Sequence, residues 1–194
     1  MFIGLTGGMG CGKSAALNFF SELEYITLDA DTICHTLYNN NKSEFFRKIY
    51  EKWGDKILSG SRIDRQAVAQ LVFEDKRERE WLNSLLHPAL LREALKSYED
   101  SGKVDTIFDV PLLYEVGWEK YFDKIVAVWC SEKIQLQRLL KRGMTEEEIE
   151  KRNKTQLAPD LKMERADYAI INNGNLAQLK EQCQIIVNRL RKLK

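Results

Sequence analysis

A glycine-rich segment directly after a short apolar run constrains this chain more than any other feature. Residues 7–14 read Gly-Gly-Met-Gly-Cys-Gly-Lys-Ser and match the pattern G-x-x-x-x-G-K-[ST], and residues 2–6 before them have the composition of a buried strand. In this pattern the glycines let backbone N–H groups turn toward a phosphate, and the positive end of the next helix points to the same place. The segment therefore predicts a strand, a phosphate-binding loop and a helix, in that order.

Two side chains at the end of this segment are expected to bind phosphate and a metal ion. Lys13 can reach the β- and γ-phosphates of a nucleoside triphosphate, and the Ser14 hydroxyl can ligate Mg²⁺. Asp109 ends another apolar run and resembles an acid that holds Mg²⁺ through water, although it could instead cap the following turn. We therefore expect a magnesium site at Ser14, with Asp109 as a possible outer partner.

The remaining apolar runs alternate with helical patterns or turn signals, which favours an α/β fold with a parallel sheet of about five strands flanked by helices. Each run is short enough for a strand. The predicted strands are 2–6, 25–28, 104–110, 124–129 and 168–171.

Two longer stretches interrupt this alternation within a single domain of residues 1–194. Residues 31–98 have a helical pattern, broken near Gly54 and Gly60, that is too long for one crossover, so a helical substrate subdomain is expected at 32–100. In the charged run 141–152, Thr145 and Glu148 form a capping-box pattern ahead of a helix. We expect a mobile lid at 140–160.

The balance of charge and the hydropathy of the chain indicate which kinds of binding partner to expect. The chain has 30 Lys and Arg against 29 Asp and Glu, which does not predict a nucleic-acid surface. It also lacks a secretory pattern or a long uncharged apolar run, so we expect a cytoplasmic protein without a membrane partner. The sequence is compatible with a monomer or a weak homo-oligomer.

The four cysteines are far apart in sequence and form no C-x-x-C pair, so neither a zinc site nor a redox motif is expected. We expect reduced, mostly buried thiols. Cys11 differs because it lies inside the phosphate loop, where oxidation or alkylation could affect the site.

Two other nucleotide-binding classes fit parts of the sequence less well. Residues 10–15 also match the dinucleotide pattern G-x-G-x-x-G/A, but in that fold the first glycine directly follows the strand, and here that glycine is Gly7. Residues 153–156 resemble a guanine-reading Asn-Lys-x-Asp but lack its carboxylate, which would leave the polar edge of guanine unpaired. The pattern favours a small-molecule kinase.

A kinase of this type also needs a group that orients the acceptor hydroxyl. Asp31 follows the second predicted strand, whose carboxyl end we expect beside the phosphate loop. Because the transition state of phosphoryl transfer is loose, Asp31 would mainly position the hydroxyl and accept its proton late. For both Asp29 and Asp31, capping of the next helix is the alternative.

Several motifs, in order along nearly the whole chain, closely resemble the dephospho-CoA kinase family. They are Gly4-Leu5-Thr6 with the phosphate loop, Asp29-Ala30-Asp31, Leu86-His87-Pro88, Pro111-Leu112-Leu113-Tyr114-Glu115, Arg152 with Gln156, and Ala166-Asp167 with Asn172-Asn173-Gly174. The loop is shared by many families, but this combination is highly specific.

The resemblance implies transfer of the ATP γ-phosphoryl group, with Mg²⁺, to the ribose 3′-hydroxyl of dephospho-CoA. It implies Asp31 as the catalytic base, with Lys13 and Arg142 completing the catalytic set, and it makes Arg152 a third arginine near the lid. The implied ATP-binding residues are Gly8, Gly10, Cys11, Gly12, Lys13, Ser14, Ala15, Arg138 and Arg142. The implied acceptor-binding residues are Asp31, His35, His87 and Leu112, and Arg65 is a further candidate for binding the acceptor's pyrophosphate because it lies in the helical insertion.

Two alternatives remain beside this interpretation. One is a kinase for another small alcohol or a nucleoside monophosphate, and the other is a module that binds ATP without catalysis. We expect His87, which precedes Pro88, to lie in a helix-breaking turn and to be structural or contact substrate rather than act as a base.

Overall fold

The computed structural model describes residues 1–60 and 62–193. The strands are β1 (Phe2–Gly7), β2 (Ile26–Asp29), β3 (Leu58–Ser59), β4 (Arg62–Ile63), β5 (Thr106–Asp109), β6 (Lys124–Trp129) and β7 (Tyr168–Ile171). The helices are α1 (Lys13–Glu22), α2 (Ala30–Asn39), α3 (Glu44–Trp53), α4 (Arg65–Glu74), α5 (Lys76–Asp100), α6 (Glu132–Lys141), α7 (Glu146–Asn153), α8 (Pro159–Arg165) and α9 (Leu176–Arg191).

The chain divides into two compact units. The first, called here the nucleotide unit, comprises Met1–Leu28 and Ser101–Lys194, and the second, the inserted unit, comprises Asp29–Asp100. Within the described residues, no helix has the length and apolar content that crossing a bilayer requires.

A five-stranded sheet in the order β2-β5-β1-β6-β7 forms the centre of the nucleotide unit. Strand β1 is parallel to β5 and β6, and β6 is parallel to β7. All six residues of β1 are buried, as a central strand with both faces covered requires. The α/β fold with about five strands is confirmed, but the strand next to β1 is β5, so β2 does not lie directly beside the strand that precedes the phosphate loop.

Helices α1 and α9 cover this sheet through one apolar cluster. Phe20 of α1 and Ile186 and Leu190 of α9 pack with Ile3 of β1 and Val126 of β6. Burial of such side chains contributes about 2 kcal/mol each, so the cluster holds the sheet and the start of α1 in a fixed relation. The loop between β1 and α1 therefore has rigid supports at both ends.

The predicted capping box before α7 is confirmed. The backbone N–H of Glu148 donates to Thr145 Oγ1 at 3.2 Å, and the backbone N–H of Thr145 donates to Glu148 Oε2 at 2.9 Å. The helix therefore begins where the local sequence predicts it.

The inserted unit is mostly helical but contains a short hairpin that the helical pattern did not predict. Strands β3 and β4 pair antiparallel, with Leu58 opposite Ile63. Each strand has only two residues, which is too short for a period of two to be recognised. The connecting residue Ser61, part of the predicted interruption, lies outside the described residues.

The prediction of a helix-breaking turn at His87 and Pro88 is wrong, because both residues lie inside the 25-residue helix α5. A proline inside a helix removes the hydrogen bond of its own nitrogen and crowds the preceding turn. Buried residues on both sides of it, including Leu82, Leu91 and Ala94, hold the helix in place. Tertiary packing thus overrides the local signal.

Candidate active site

The phosphate loop joins β1 to α1 in the conformation that the motif predicts. Gly12 caps α1 with φ +100°, and Lys13 and Ser14 are the first two residues of the helix. A Cβ at position 12 would collide with Asn172 Nδ2, so both the backbone angle and the space require glycine there. The unpaired N–H groups of the first helical turn and the Lys13 ammonium consequently share one end of α1.

Two buried side-chain amides hold the carbonyl groups of this loop. Gln135 Nε2 of α6 donates to the Met9 carbonyl at 2.7 Å, and Asn172 Nδ2, directly after β7, donates to the Cys11 carbonyl at 2.8 Å. Gln135 and Asn172 are only 5% and 6% exposed. Because both carbonyls are bound by protein donors, the loop is held in one shape before any ligand arrives.

A cavity of about 530 Å³ beside the loop brings together five of the predicted ATP-binding residues. These are Gly10, Gly12, Ala15, Arg138 and Arg142. The lining also includes Asn172, Gly174, Asn175 and Leu176, which the sequence interpretation did not assign to the site.

The two arginines of this cavity come from the end of α6. Arg138 lies within the helix and Arg142 is its C-cap, one turn further on, so that both can face the cavity. Arg138 Nη2 donates to Asn172 Oδ1 at 3.5 Å, which links the guanidinium to the amide that holds the loop. Guanidinium groups beside a glycine loop suit an anionic ligand such as a phosphate chain.

Gly8 and Met9, on the other side of the loop, contact the segment predicted as a lid. A Cβ on Gly8 would lie 2.6 Å from Pro159 Cγ at the start of α8. Arg152 Nη1, at the end of α7, lies 4.0 Å from Met9 Sδ. The three arginines therefore occupy different places: Arg138 and Arg142 line the cavity, whereas Arg152 lies against Met9.

A buried ion pair connects α8 to the loop after β5. Lys162 is fully buried, and its Nζ lies 2.7 Å from Glu115 Oε1 and donates to the Pro111 carbonyl at 2.6 Å. Glu115 Oε1 also accepts a hydrogen bond of 2.8 Å from the backbone N–H of Leu157. Burial lowers the pKa of Lys162, while the bond to Glu115 opposes this shift. The sequence interpretation missed Lys162, since nothing local distinguishes it from a surface lysine.

Asp109 ends β5 at the carboxyl edge of the sheet, as predicted. It is only 6% exposed and lies opposite Leu5 of β1 in the parallel register. Ser14 is exposed in the first turn of α1. A carboxylate and a hydroxyl are hard oxygen donors, so these two residues fit the kind of ligand that Mg²⁺ takes.

In the inserted unit, the structure distinguishes between the two aspartates that could cap α2. Asp29 is the N-cap, and its carboxylate accepts hydrogen bonds from the backbone N–H of Asp31 at 3.4 Å and of Thr32 at 3.0 Å. Asp31 lies in the first turn and is exposed, with His35 one turn further along α2. The capping role therefore belongs to Asp29, and it does not occupy the Asp31 carboxylate.

The other residues predicted to bind the acceptor are distributed over both units. Arg65 begins α4 of the inserted unit, and its guanidinium carbon lies 5.8 Å from the centre of the Tyr38 ring. Burial raises the pKa of Cys34 of α2, the positive charge of Arg65 opposes this shift, and the negative charge of Asp31 adds to it. His87 is in α5, where burial lowers its pKa and favours the neutral imidazole. Leu112 belongs to the nucleotide unit, in the turn after β5.

Comparison with known proteins relates nearly the whole chain to one family. The family model described as Dephospho-CoA kinase matches residues 1–178. A protein named dephospho-CoA kinase from Aquifex aeolicus is 35% identical over 191 residues, which cover 97% of this chain and 96% of that protein. One of the same name from Idiomarina loihiensis is 36% identical over 182 residues, or 93% and 90% of the two chains.

Solved structures support the same fold. A Thermus thermophilus protein described as TT1252 superposes with a TM-score of 0.80 at 27% identity, over 98% of this chain and 97% of that one. A dephospho-CoA kinase from Campylobacter jejuni superposes with a TM-score of 0.75 over the same shares, and its 23% identity makes this a likeness of fold alone.

Proposed function

The chain belongs to the dephospho-CoA kinase family, and we propose that it transfers the γ-phosphoryl group of ATP to the ribose 3′-hydroxyl of dephospho-CoA, giving coenzyme A and ADP. The family match over residues 1–178 carries this proposal, because it spans both the phosphate loop and the inserted unit.

On the ATP side, the proposed site consists of the phosphate loop and the cavity beside it. The N–H groups of residues 8–15 and the Lys13 ammonium bind the phosphates, while Arg138 and Arg142 bind from α6. During transfer, negative charge spreads over the equatorial oxygens of the γ-phosphoryl group. Lys13 and Arg142 stabilise that charge, and the amide contacts from Gln135 and Asn172 keep the loop in position for it.

On the acceptor side, Asp31 positions the ribose hydroxyl and accepts its proton late in the transfer. The capping of α2 by Asp29 leaves the Asp31 carboxylate available for this role. His35, Arg65, His87 and Leu112 are proposed to contact the acceptor, with the Arg65 guanidinium suited to its phosphates.

Ser14 and Asp109 are the residues that would hold Mg²⁺, Ser14 through its hydroxyl and Asp109 through water. The bound ion would neutralise charge on the β- and γ-phosphates. Both residues offer oxygen donors at the loop edge of the sheet, which supports this assignment.

The proposed reaction is tested by measuring ADP release with ATP, Mg²⁺ and a panel of acceptors, namely dephospho-CoA, adenosine, a nucleoside monophosphate and shikimate. We expect turnover with dephospho-CoA and a product carrying phosphate at the 3′ position by NMR. Turnover of another acceptor without stimulation by dephospho-CoA would reject the proposal. ATP binding without turnover of any acceptor would instead indicate a module that uses ATP as a conformational ligand.

A further inference from the structure

Two cysteines that are far apart in sequence are neighbours in the nucleotide unit. The Cys130 thiol donates a hydrogen bond to Cys11 Sγ across a distance of 3.6 Å. Strands β1 and β6 are adjacent, with Gly7 opposite Val128, and each cysteine follows the carboxyl end of one of these strands. The pair is thus a consequence of the sheet order, and it joins Cys11 of the phosphate loop to the residue that follows β6.

The two thiols differ in their electrostatic surroundings. The hydrogen bond from Cys130, assisted by the positive charge of Lys13, holds the pKa of Cys11 below its usual range. The same bond and burial raise the pKa of Cys130. Cys11 is therefore the more acidic thiol of the pair and the better nucleophile, and Cys130 is a protonated thiol 3.6 Å from it.

A small reagent has space beside this pair, although the sulfur atoms are shielded from bulk solvent. Cys11 and Cys130 are 0% and 2% exposed. A cavity of about 250 Å³ is lined by Gly8, Cys130 and Pro159 among others, and a Cβ on Gly8 would lie 3.0 Å from Cys11 Sγ. A molecule of liquid water occupies about 30 Å³, so an oxidant of the size of a peroxide fits this cavity.

We propose that Cys11 and Cys130 form a modification site at which a peroxide-class oxidant produces a reversible disulfide that disables the phosphate loop. The Cys11 thiolate attacks one peroxide oxygen, the O–O bond breaks, and Cys11 becomes a sulfenic acid while the other oxygen leaves as water after protonation. Cys130 sulfur then displaces the hydroxyl group, the S–S bond forms and a second water leaves. In sum, two thiols and hydrogen peroxide give one disulfide and two waters.

The disulfide would disturb the loop because Cys11 cannot move by itself. A disulfide requires a sulfur separation of about 2.05 Å, so the two atoms must approach by well over 1 Å. The Cys11 carbonyl is held by Asn172 and its backbone N–H donates to the Gly8 carbonyl at 3.2 Å. Gly12, next in the chain, is tightly packed against the same Asn172. Movement of Cys11 therefore changes the N–H groups proposed to bind phosphate, and this last step rests on the proposed function.

The chemical step is tested by treating the whole protein with hydrogen peroxide and digesting it with trypsin without reduction. Cleavage after Lys13, Lys124 and Lys133 yields peptides 1–13 and 125–133, each with one cysteine. We expect these two peptides joined with a mass two hydrogens below their sum, and separated again by dithiothreitol. Failure to form the linked pair under peroxide overturns the proposal, whatever the acceptor of the enzyme is.

The effect on the loop is tested by ATP binding, which does not depend on the acceptor. We expect peroxide to weaken ATP binding at least tenfold in the wild-type protein, with recovery after dithiothreitol. Cys130→Ser should bind ATP normally and lose the reversible effect, and Cys183→Ser, a buried cysteine of α9, should behave as wild type. Equal reversible loss in Cys130→Ser, or a linked pair that leaves ATP binding intact, contradicts the proposed mechanism. If Cys130→Ser does not fold, Cys130→Ala serves in its place.

Discussion

At the scale of single residues, Asp29 and Asp31 at the start of α2 have different structural roles. Asp29 binds two backbone N–H groups of α2, whereas Asp31, two residues on, is exposed. The sequence pattern left the capping role open for both, because each could occupy the position before a helix. The backbone of Asp29, extended with φ −118° and ψ 126°, determines which of them is the cap.

This division predicts the effect of removing the Asp31 charge. Asp31→Asn should lower kcat at least about a hundredfold, because a positioned base is lost, while the Kd for ATP stays nearly the same. Steady-state kinetics with dephospho-CoA and a separate ATP titration measure the two quantities. Asp29→Asn is the matched control for folding, since Asn caps as well as Asp and should preserve thermal stability. A near-normal kcat in Asp31→Asn would show that another group orients the hydroxyl.

Substitution of Lys13 should change the kinetic constants differently from substitution of Asp31. Lys13→Ala removes a positive charge from the transferring phosphoryl group, which costs on the order of a hundredfold or more in kcat. Unlike Asp31→Asn, it should also weaken ATP binding, because Lys13 contacts the ground-state phosphates as well. Lys141→Ala, an exposed lysine at the end of α6, is the comparison and should leave both quantities unchanged. Retention of kcat in Lys13→Ala is the result that contradicts the proposed role.

The reactivity of Cys11 should depend on pH with a definite sign. Deprotonation creates the nucleophile, so modification of Cys11 by a small thiosulfonate reagent should accelerate as pH rises. Lys13, Lys162 and Cys130 are the titratable groups whose charges or hydrogen bonds act on this thiol. Because the pKa of Cys11 is lowered, the midpoint should lie below that of free cysteine, about 8.5. Mass spectrometry of peptide 1–13 at several pH values measures it, and a midpoint at or above 8.5 would refute the prediction.

At the scale of elements, a buried cation, Lys162, connects α8 to the chain after β5. Lys162 binds Glu115 and the Pro111 carbonyl, and Glu115 also accepts from the backbone of Leu157. Three pieces of chain, at 111–115, 157 and 162, therefore meet at one buried ion pair. Because Pro159 packs against Gly8, the position of α8 also bears on the phosphate loop.

This arrangement predicts that two ion pairs of equal length contribute very differently to the free energy of unfolding. Lys162→Met should lower the free energy of unfolding by about 3 kcal/mol, because it leaves buried acceptors without their partner. Lys154 lies 2.7 Å from Glu150, the same distance as in the Lys162–Glu115 pair, but at the surface. Lys154→Met should leave the denaturation midpoint nearly unchanged, since exposed pairs are solvated and screened. Urea unfolding measures both variants, and equal midpoints would mean that the buried pair has no net stabilising effect.

Helices and strands could be predicted from the sequence where the signals for them are local. The strands at 124–129 and 168–171 were predicted at their observed bounds, and the capping box at Thr145 marks the start of α7. The hairpin at Leu58 and Ile63 and the continuous helix through Pro88 were not predicted. In both cases contacts with other elements of the inserted unit, rather than local propensity, stabilise the observed conformation.

At the scale of the whole molecule, the two units are proposed to bind different ligands. Hydrogen exchange of the intact chain tests this. A non-hydrolysable ATP analogue should slow exchange in peptides covering 7–15, 138–142 and 172–176, which line the loop and its cavity. Dephospho-CoA alone should slow exchange mainly within Asp29–Asp100. Acceptor protection confined to the nucleotide unit would contradict the proposed role of the inserted unit.

By itself, the sequence determined the fold class, the phosphate loop and the family, because each depends on residues that are contiguous or follow one another in a fixed order. The tertiary structure decided what surrounds the loop. Gln135 reaches Met9, Asn172 reaches Cys11, and Cys130 meets Cys11, across sequence separations of 126, 161 and 119 residues. Contacts over such separations exist only once β6 lies beside β1 and β7 beside β6, and no local sequence pattern specifies that strand order, because it depends on how distant segments pack together.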